Sequence, residues 1–171
     1  IEMQALRLML YQFAHAFTKN SLYKTHEDKL RARVRELFWN CEMLADGLAD
    51  FTPRPNVFLA AYIYPELLSK NEWKTCFRHT LNSIWLDWGG IATQSDNHDS
   101  LYWVNNIAAI VMHRVDKNLF KTYIDKIHTA SKDELLWKGC VGMPAVSAKE
   151  GDPAYALSAA TFIELCHELE Q

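Results

Sequence analysis

No stretch of this sequence is long and apolar enough to span a bilayer, because Lys, Arg, Glu or Asp interrupts every candidate run. The amino end, IEMQALRLMLYQFAHAF, is apolar but contains Glu2 and Arg7 and lacks a basic leader. It reads as a buried helix and not as a signal peptide. Charge of one sign is also missing. Lys and Arg number 18 against 21 Asp and Glu, a net of −3 with no long run of either sign. That excludes the basic stripe that nucleic acid or an anionic membrane surface requires, so neither is an expected partner. Cysteines are few and scattered singly, at Cys41, Cys76, Cys140 and Cys166, with no CxxC and no Cys/His cluster. Neither a zinc site nor a disulfide framework is suggested, and His15, His26, His79, His113, His128 and His167 lack metal spacing. Free thiols fit a reducing compartment, and a cytoplasmic location without metal or cofactor is the expectation.

What remains is globular. Hydrophobic residues make up 49% of 171 residues, enough for one domain over 1–171 and too little chain for two. The pattern is helical throughout. Glu2 to Phe17 is apolar nearly all round, as in a helix buried on several sides. Thr25 followed by Asp28 can cap the next helix. There Leu30, Val34, Leu37, Phe38, Cys41, Leu44, Ala45 and Leu48 recur at spacings of three and four, which predicts a long amphipathic helix ending near Gly47.

Pro53 and Pro55 break the chain, and a further apolar helix from Asn56 is cut short by Pro65. Ser69-x-x-Glu72 and Ser131-x-x-Glu134 are capping boxes, and Asp99 and Asp116 are candidate caps for two more helices. Gly89-Gly90 closes the aromatic stretch IWLDW, where Trp85 and Trp88 read as packing residues. Residues 139 to 152 read as loop, and Asp152-Pro153 starts the last helix. The expectation is an all-α fold of about seven helices, joined by short links into antiparallel hairpins, with no convincing strand.

Several stretches, taken together and in order, carry more than a pattern. IEMQAL, LADGL, RPNVFLAAYIYPELLS, WLDWGG, LYWVNNIAAIVMHRV, LLWKGCVG and ALSAATFIELCHEL closely resemble the carboxy-terminal amylo-α-1,6-glucosidase domain of glycogen debranching enzymes of the archaeal and bacterial type. The resemblance covers nearly the whole chain. It implies an (α/α)6 toroid of two concentric helical rings, of which this chain looks like the second half. The first half is then expected upstream, or self-association in its place. The implied activity is inverting hydrolysis of α-1,6-linked glucosyl branches in glycogen or limit dextrin, so a branched α-glucan is the implied partner.

Inversion needs a protonated acid at the leaving oxygen and a carboxylate roughly 6.5–9.5 Å away to activate water. In the family the acid lies upstream of the IEMQAL position. The base is a Glu in the loop that here reads GMPAVSAKEG, with Ala145-Val146 at its place and Glu150 the nearest carboxylate. The family's Gln-Ala-Trp-Ser reads Tyr155-Ala156-Leu157-Ser158, and its Tyr-His-x-Gly-Asp is reduced to Asn97-His98-Asp99. Framework motifs match while sugar-facing loops differ, so this form is expected to be inactive, or else a non-catalytic carbohydrate-binding or scaffold relative.

The candidate catalytic residues are Glu150, as a displaced base, and Asp99. Each has a plain alternative: Glu150 as a solvated loop acid and Asp99 as a helix cap. For substrate binding the resemblance points to Glu2, Gln4, Arg54, Asn56, Trp103, Asn105 and Asn106. A tryptophan face stacks on a pyranose while amides bind its hydroxyls. Arg54 and Asn56 can equally hold a turn through bonds to backbone, and Trp103 with the two asparagines can equally be a core ring with capping amides.

Overall fold

A computed structural model describes residues 1–96, 99–136 and 155–171. Among these residues lie seven α-helices: α1 (Glu2–Thr18), α2 (Ser21–Phe38), α3 (Asn56–Ile63), α4 (Lys70–Ile84), α5 (Tyr102–Asp116), α6 (Lys121–Leu136) and α7 (Ala156–Leu169). The all-α expectation holds. No helix of the described residues is long and apolar enough to cross a membrane.

The odd-numbered helices form a row. α1 packs on α3, α3 on α5, and α5 on α7, while α2, α4 and α6 lie against them as a second layer. Side-chain contacts fix the directions. Asn106 near the start of α5 meets Ser158 and Thr161 near the start of α7, and Arg114 near its end meets Glu168 near the end of α7, so these two run parallel. Tyr62 at the end of α3 donates to Glu164 of α7 at 2.7 Å and lies under the Arg114 guanidinium, so α3 runs the same way. At the other end the Ile1 nitrogen donates to the Asp46 carbonyl, and Asn56 donates to the Asp46 carboxylate, which brings the starts of α1 and α3 together. The second-layer helices return antiparallel. Tyr102 pairs with Glu134 and Asn106 with Ser131 across α5 and α6, and Tyr11 stacks on His26 across α1 and α2.

The helix ends depart from the sequence expectations for local reasons. α2 starts four residues before Thr25, because Asn20 is the cap and accepts from the Leu22 amide at 2.9 Å. Thr25 sits inside the helix with its hydroxyl on the Ser21 carbonyl. The same helix ends at Phe38, well short of Gly47. There the Asn40 side chain accepts from the amides of Glu42 and Met43, and Cys41 takes a left-handed φ of 76°. Leu44 and Ala45 are still buried, held by the Trp39–Leu44 bridge and not by a helical face.

The Ser69–Glu72 capping box forms as expected on α4. Ser131–Glu134 does not, because Ser131 lies mid-helix and turns its hydroxyl to Asn106. Asp116 ends α5 instead of starting α6, and its carboxylate accepts from the Leu119 amide at 3.0 Å in the turn. Leu101, without a side-chain bond, caps α5 in place of Asp99.

A small strand pair was also not anticipated. Trp85–Leu86 (β1) pairs antiparallel with Gly90–Ile91 (β2). Gly89 at its turn has φ 106°, and a Cβ there would sit 2.6 Å from the Lys126 carbonyl of α6. Only glycine fits both the backbone angle and the approach. The loop over 139–152, the Asp152-Pro153 start and Cys140 lie outside the described residues.

The core runs along the row. Phe58, Trp73, Phe77, Ile110 and Phe120 are all buried, with Phe77 in ring contact with Phe58, Trp73 and Phe120. α5 is buried at ten of its first eleven positions, Trp103 being the exception, which fits a helix flanked on both sides. α1 was expected to be buried on several sides, and it is not. Only Ala5 and Leu8 within it are buried, and the opposite face is open.

Candidate functional site

Because the four row helices run parallel, their amino ends emerge together at one end of the protein. Unpaired N–H groups and the positive ends of the helix dipoles collect there. The sequence-derived binding candidates lie at this end, in two groups.

The first group sits where α1 and α3 begin. Asp46 is its centre: Arg54 Nε lies 3.2 Å from one carboxylate oxygen, and Asn56 Nδ2 donates to the other at 2.7 Å. The Arg54 contact is an ion pair whose N–H is not aligned for a hydrogen bond. Arg54 and Asn56 are thus brought together, and they hold a turn through Asp46. Glu2 lies beside Ile1, with its carboxylate 3.2 Å from the Ile1 nitrogen, and keeps a third of its side chain exposed. Gln4 points away from this group, into a small cavity of about 210 Å³ lined by Leu30, Val34, Leu37 and Leu48.

The second group sits at the start of α5. Asn105 is 1% exposed, and its carbonyl oxygen accepts from the Ile91 amide at 3.1 Å and the Ser100 hydroxyl at 3.0 Å. Its amide nitrogen has no partner. Asn106 is fully buried and fully used. It donates to the Ser158 carbonyl and the Thr161 hydroxyl at 3.3 Å each and accepts from Ser131 at 2.8 Å, which ties α5, α6 and α7 together. Nothing of Asn106 is left for a ligand, so its place is in the framework. The Ser158 hydroxyl is buried without a partner. Trp103 is half-buried in the first turn of α5.

Asp99 lies two residues before the α5 cap, and its carbonyl accepts from the Thr93 amide. Glu150, Ala145 and Val146 lie outside the described residues, as do Asn97 and His98. The structure therefore brings Arg54 with Asn56 and Asn105 with Asn106, and leaves Gln4 apart. Sequence reasoning did not place Asp46, Ser131, Ser158 or Thr161 among the candidate site residues. Asp46 stood in the quoted LADGL stretch, but nothing in the spacing pairs it with residues eight and ten positions on. Ser131 was misread because a serine three before a glutamate has the same spelling inside a helix as at its start.

The opposite, carboxy-terminal end of the row carries its own network. Glu168 is held by Arg114 at 2.7 Å, which lowers its carboxyl below the usual range despite burial. Tyr62 is pushed up to about 12, chiefly by burial and then by its bond to Glu164. These pairs brace α3, α5 and α7. Among the described residues no group of three His, Cys, Asp or Glu is placed to hold a metal ion.

Comparison with protein families, with curated proteins and with solved structures finds no match to this chain.

Proposed function

We propose that the chain is a half-ring relative of the debranching α-1,6-glucosidases. In this reading it keeps their helical framework and a glucan-binding end, and does not hydrolyse by itself. The observation that carries the proposal is that two buried side chains at the amino end of the row, Asn105 and Ser158, leave Nδ2 and Oγ without a partner, with the half-buried Trp103 in the same first turn of α5 as Asn105. Buried donors without acceptors are costly, about 1–3 kcal/mol each, and cluster where a ligand supplies the partner. A glucosyl residue offers hydroxyls for the amide and a C–H face for the indole.

The parallel row with a second layer of returning helices is the arrangement that part of an (α/α)6 toroid would have, and it supports the family resemblance of the motifs. Loss of turnover is supported by the sequence at the base position, Ala145-Val146. A glucose-release assay on limit dextrin, with the chain and its Glu150→Gln variant, tests this half of the proposal. No release from either is expected. Release that disappears in Glu150→Gln would make Glu150 the base. Release unaffected by that change would turn attention to Asp99.

A second reading, a helical scaffold that binds no sugar, is favoured by one observation. Asn106 and Asn56, two of the amides expected to face sugar, are spent on internal bonds.

A further inference from the structure

The face of α1 turned away from α2 and α3 carries Met3, Leu6, Leu10, Phe13 and Phe17. Their spacing is three, four, three, four, which is the seam of a coiled coil and narrower than the stripe of a core-facing helix. Met3 is 67% exposed, Leu10 58%, Phe13 64% and Phe17 81%. The buried residues of the same helix, Ala5 and Leu8, lie on the other side. An exposed seam of this kind is uncommon on a protein that functions as a monomer.

We infer that this seam is the interface between two copies of the chain, with α1 lying parallel to α1 of the partner. Three features select this occupant. The first is area. The four exposed side chains present on the order of 500 Å² per copy, so a symmetric pair buries on the order of 1,000 Å², the lower bound for a specific interface. The second is charge. Glu2 and Arg7 lie on opposite edges of the seam and five residues apart, which is the spacing at which one helix's acid meets the partner's base across a parallel twofold. Arg7 is exposed and steadied by Tyr11, to whose hydroxyl it donates at 3.3 Å, while Glu2 keeps a third of its side chain exposed.

The third is continuity. Among the described residues α1 lies at one edge of the row of parallel helices, and a parallel second copy extends that row without reversing it. The amino ends of all row helices, and with them both copies' polar groups, then stand at the same end of the dimer. The inference does not rest on the glucan proposal, and its test reads mass and cross-linking only.

Sedimentation equilibrium of the chain is expected to give twice the 19.8 kDa chain mass at tens of micromolar, and Leu10→Glu/Phe13→Glu to give a single chain with unchanged far-ultraviolet circular dichroism. Glu2→Arg sets like charges against Arg7 and should raise the dissociation constant about three- to tenfold, the range two exposed pairs support. Glu2→Arg/Arg7→Glu should restore it, an outcome that general damage to folding cannot produce. In a Cys41→Ser background, Met3→Cys and Phe17→Cys should each cross-link to themselves. A single-chain mass at 100 µM overturns the inference, as does a dimer that survives Leu10→Glu/Phe13→Glu. Cross-linking only between Met3→Cys and Phe17→Cys, mixed, would replace the parallel pair by an antiparallel one and overturn the arrangement stated here.

Discussion

The Ser131 hydroxyl of α6 donates to the Asn106 side-chain oxygen of α5 at 2.8 Å, in the interior of the fold. The amide nitrogen of the same asparagine reaches across to α7. One side chain of α5 thus satisfies polar groups on two other helices.

Asn106→Ala should therefore cost about 2–4 kcal/mol, since it leaves several buried groups unpaired and opens a small cavity. Urea denaturation is the check. A midpoint within error of the parent would mean that the network is replaced by water.

Arg35 of α2 and Glu72 of α4 form a two-pronged pair at 2.6 and 3.2 Å, and Glu72 also accepts from the Ser69 amide. The Arg35 bond, more than the capping bonds, lowers the Glu72 carboxyl to about 2 against a model-compound value of 4.5. The folded value is the lower one, so the stabilisation is full above about 4.5 and is lost as pH falls towards 2. With both side chains partly exposed, about 1–2 kcal/mol is a fair expectation after screening. Glu72→Gln should lose it at neutral pH and show a flatter stability profile over that window. Equal slopes for parent and variant would remove Glu72 from the acid response.

Gly89→Ala should destabilise by about 2–4 kcal/mol, because the left-handed turn and the close Lys126 carbonyl act together. The expected readout is a lowered melting temperature with helix content intact. Tolerance of alanine would mean that the strand pair moves freely off α6.

The all-α class, the α3 boundaries and the start of α4 were legible in the sequence because local chemistry fixes them: prolines at both ends of α3, and the reciprocal Ser69–Glu72 cap on α4. The end of α2 was not. The apolar spacing runs on through Leu44 and Ala45, which are buried for another reason, and the Asn40 turn that stops the helix has no strong sequence mark. The site was half legible. Motifs pointed to Arg54, Asn56, Asn105 and Asn106. Only three-dimensional contacts separate amides spent on the framework, Asn56 and Asn106, from the one with a donor to spare, Asn105. The open face of α1 was misread because an all-round apolar helix has the same pattern whether or not another element of the fold covers its last face.

In the proposed function the amino end of the helix row takes glucosyl residues at Trp103 and Asn105. A nuclear magnetic resonance titration with panose, a short glucan carrying an α-1,6-linked glucosyl unit, tests it most directly. Saturable shifts of the Trp103 indole N–H and the Asn105 side-chain amide are expected, with no shift at the distant Tyr62–Glu164 contact and with loss of binding in Trp103→Ala. Absence of any shift at Trp103 and Asn105 at tens of millimolar panose would contradict the account.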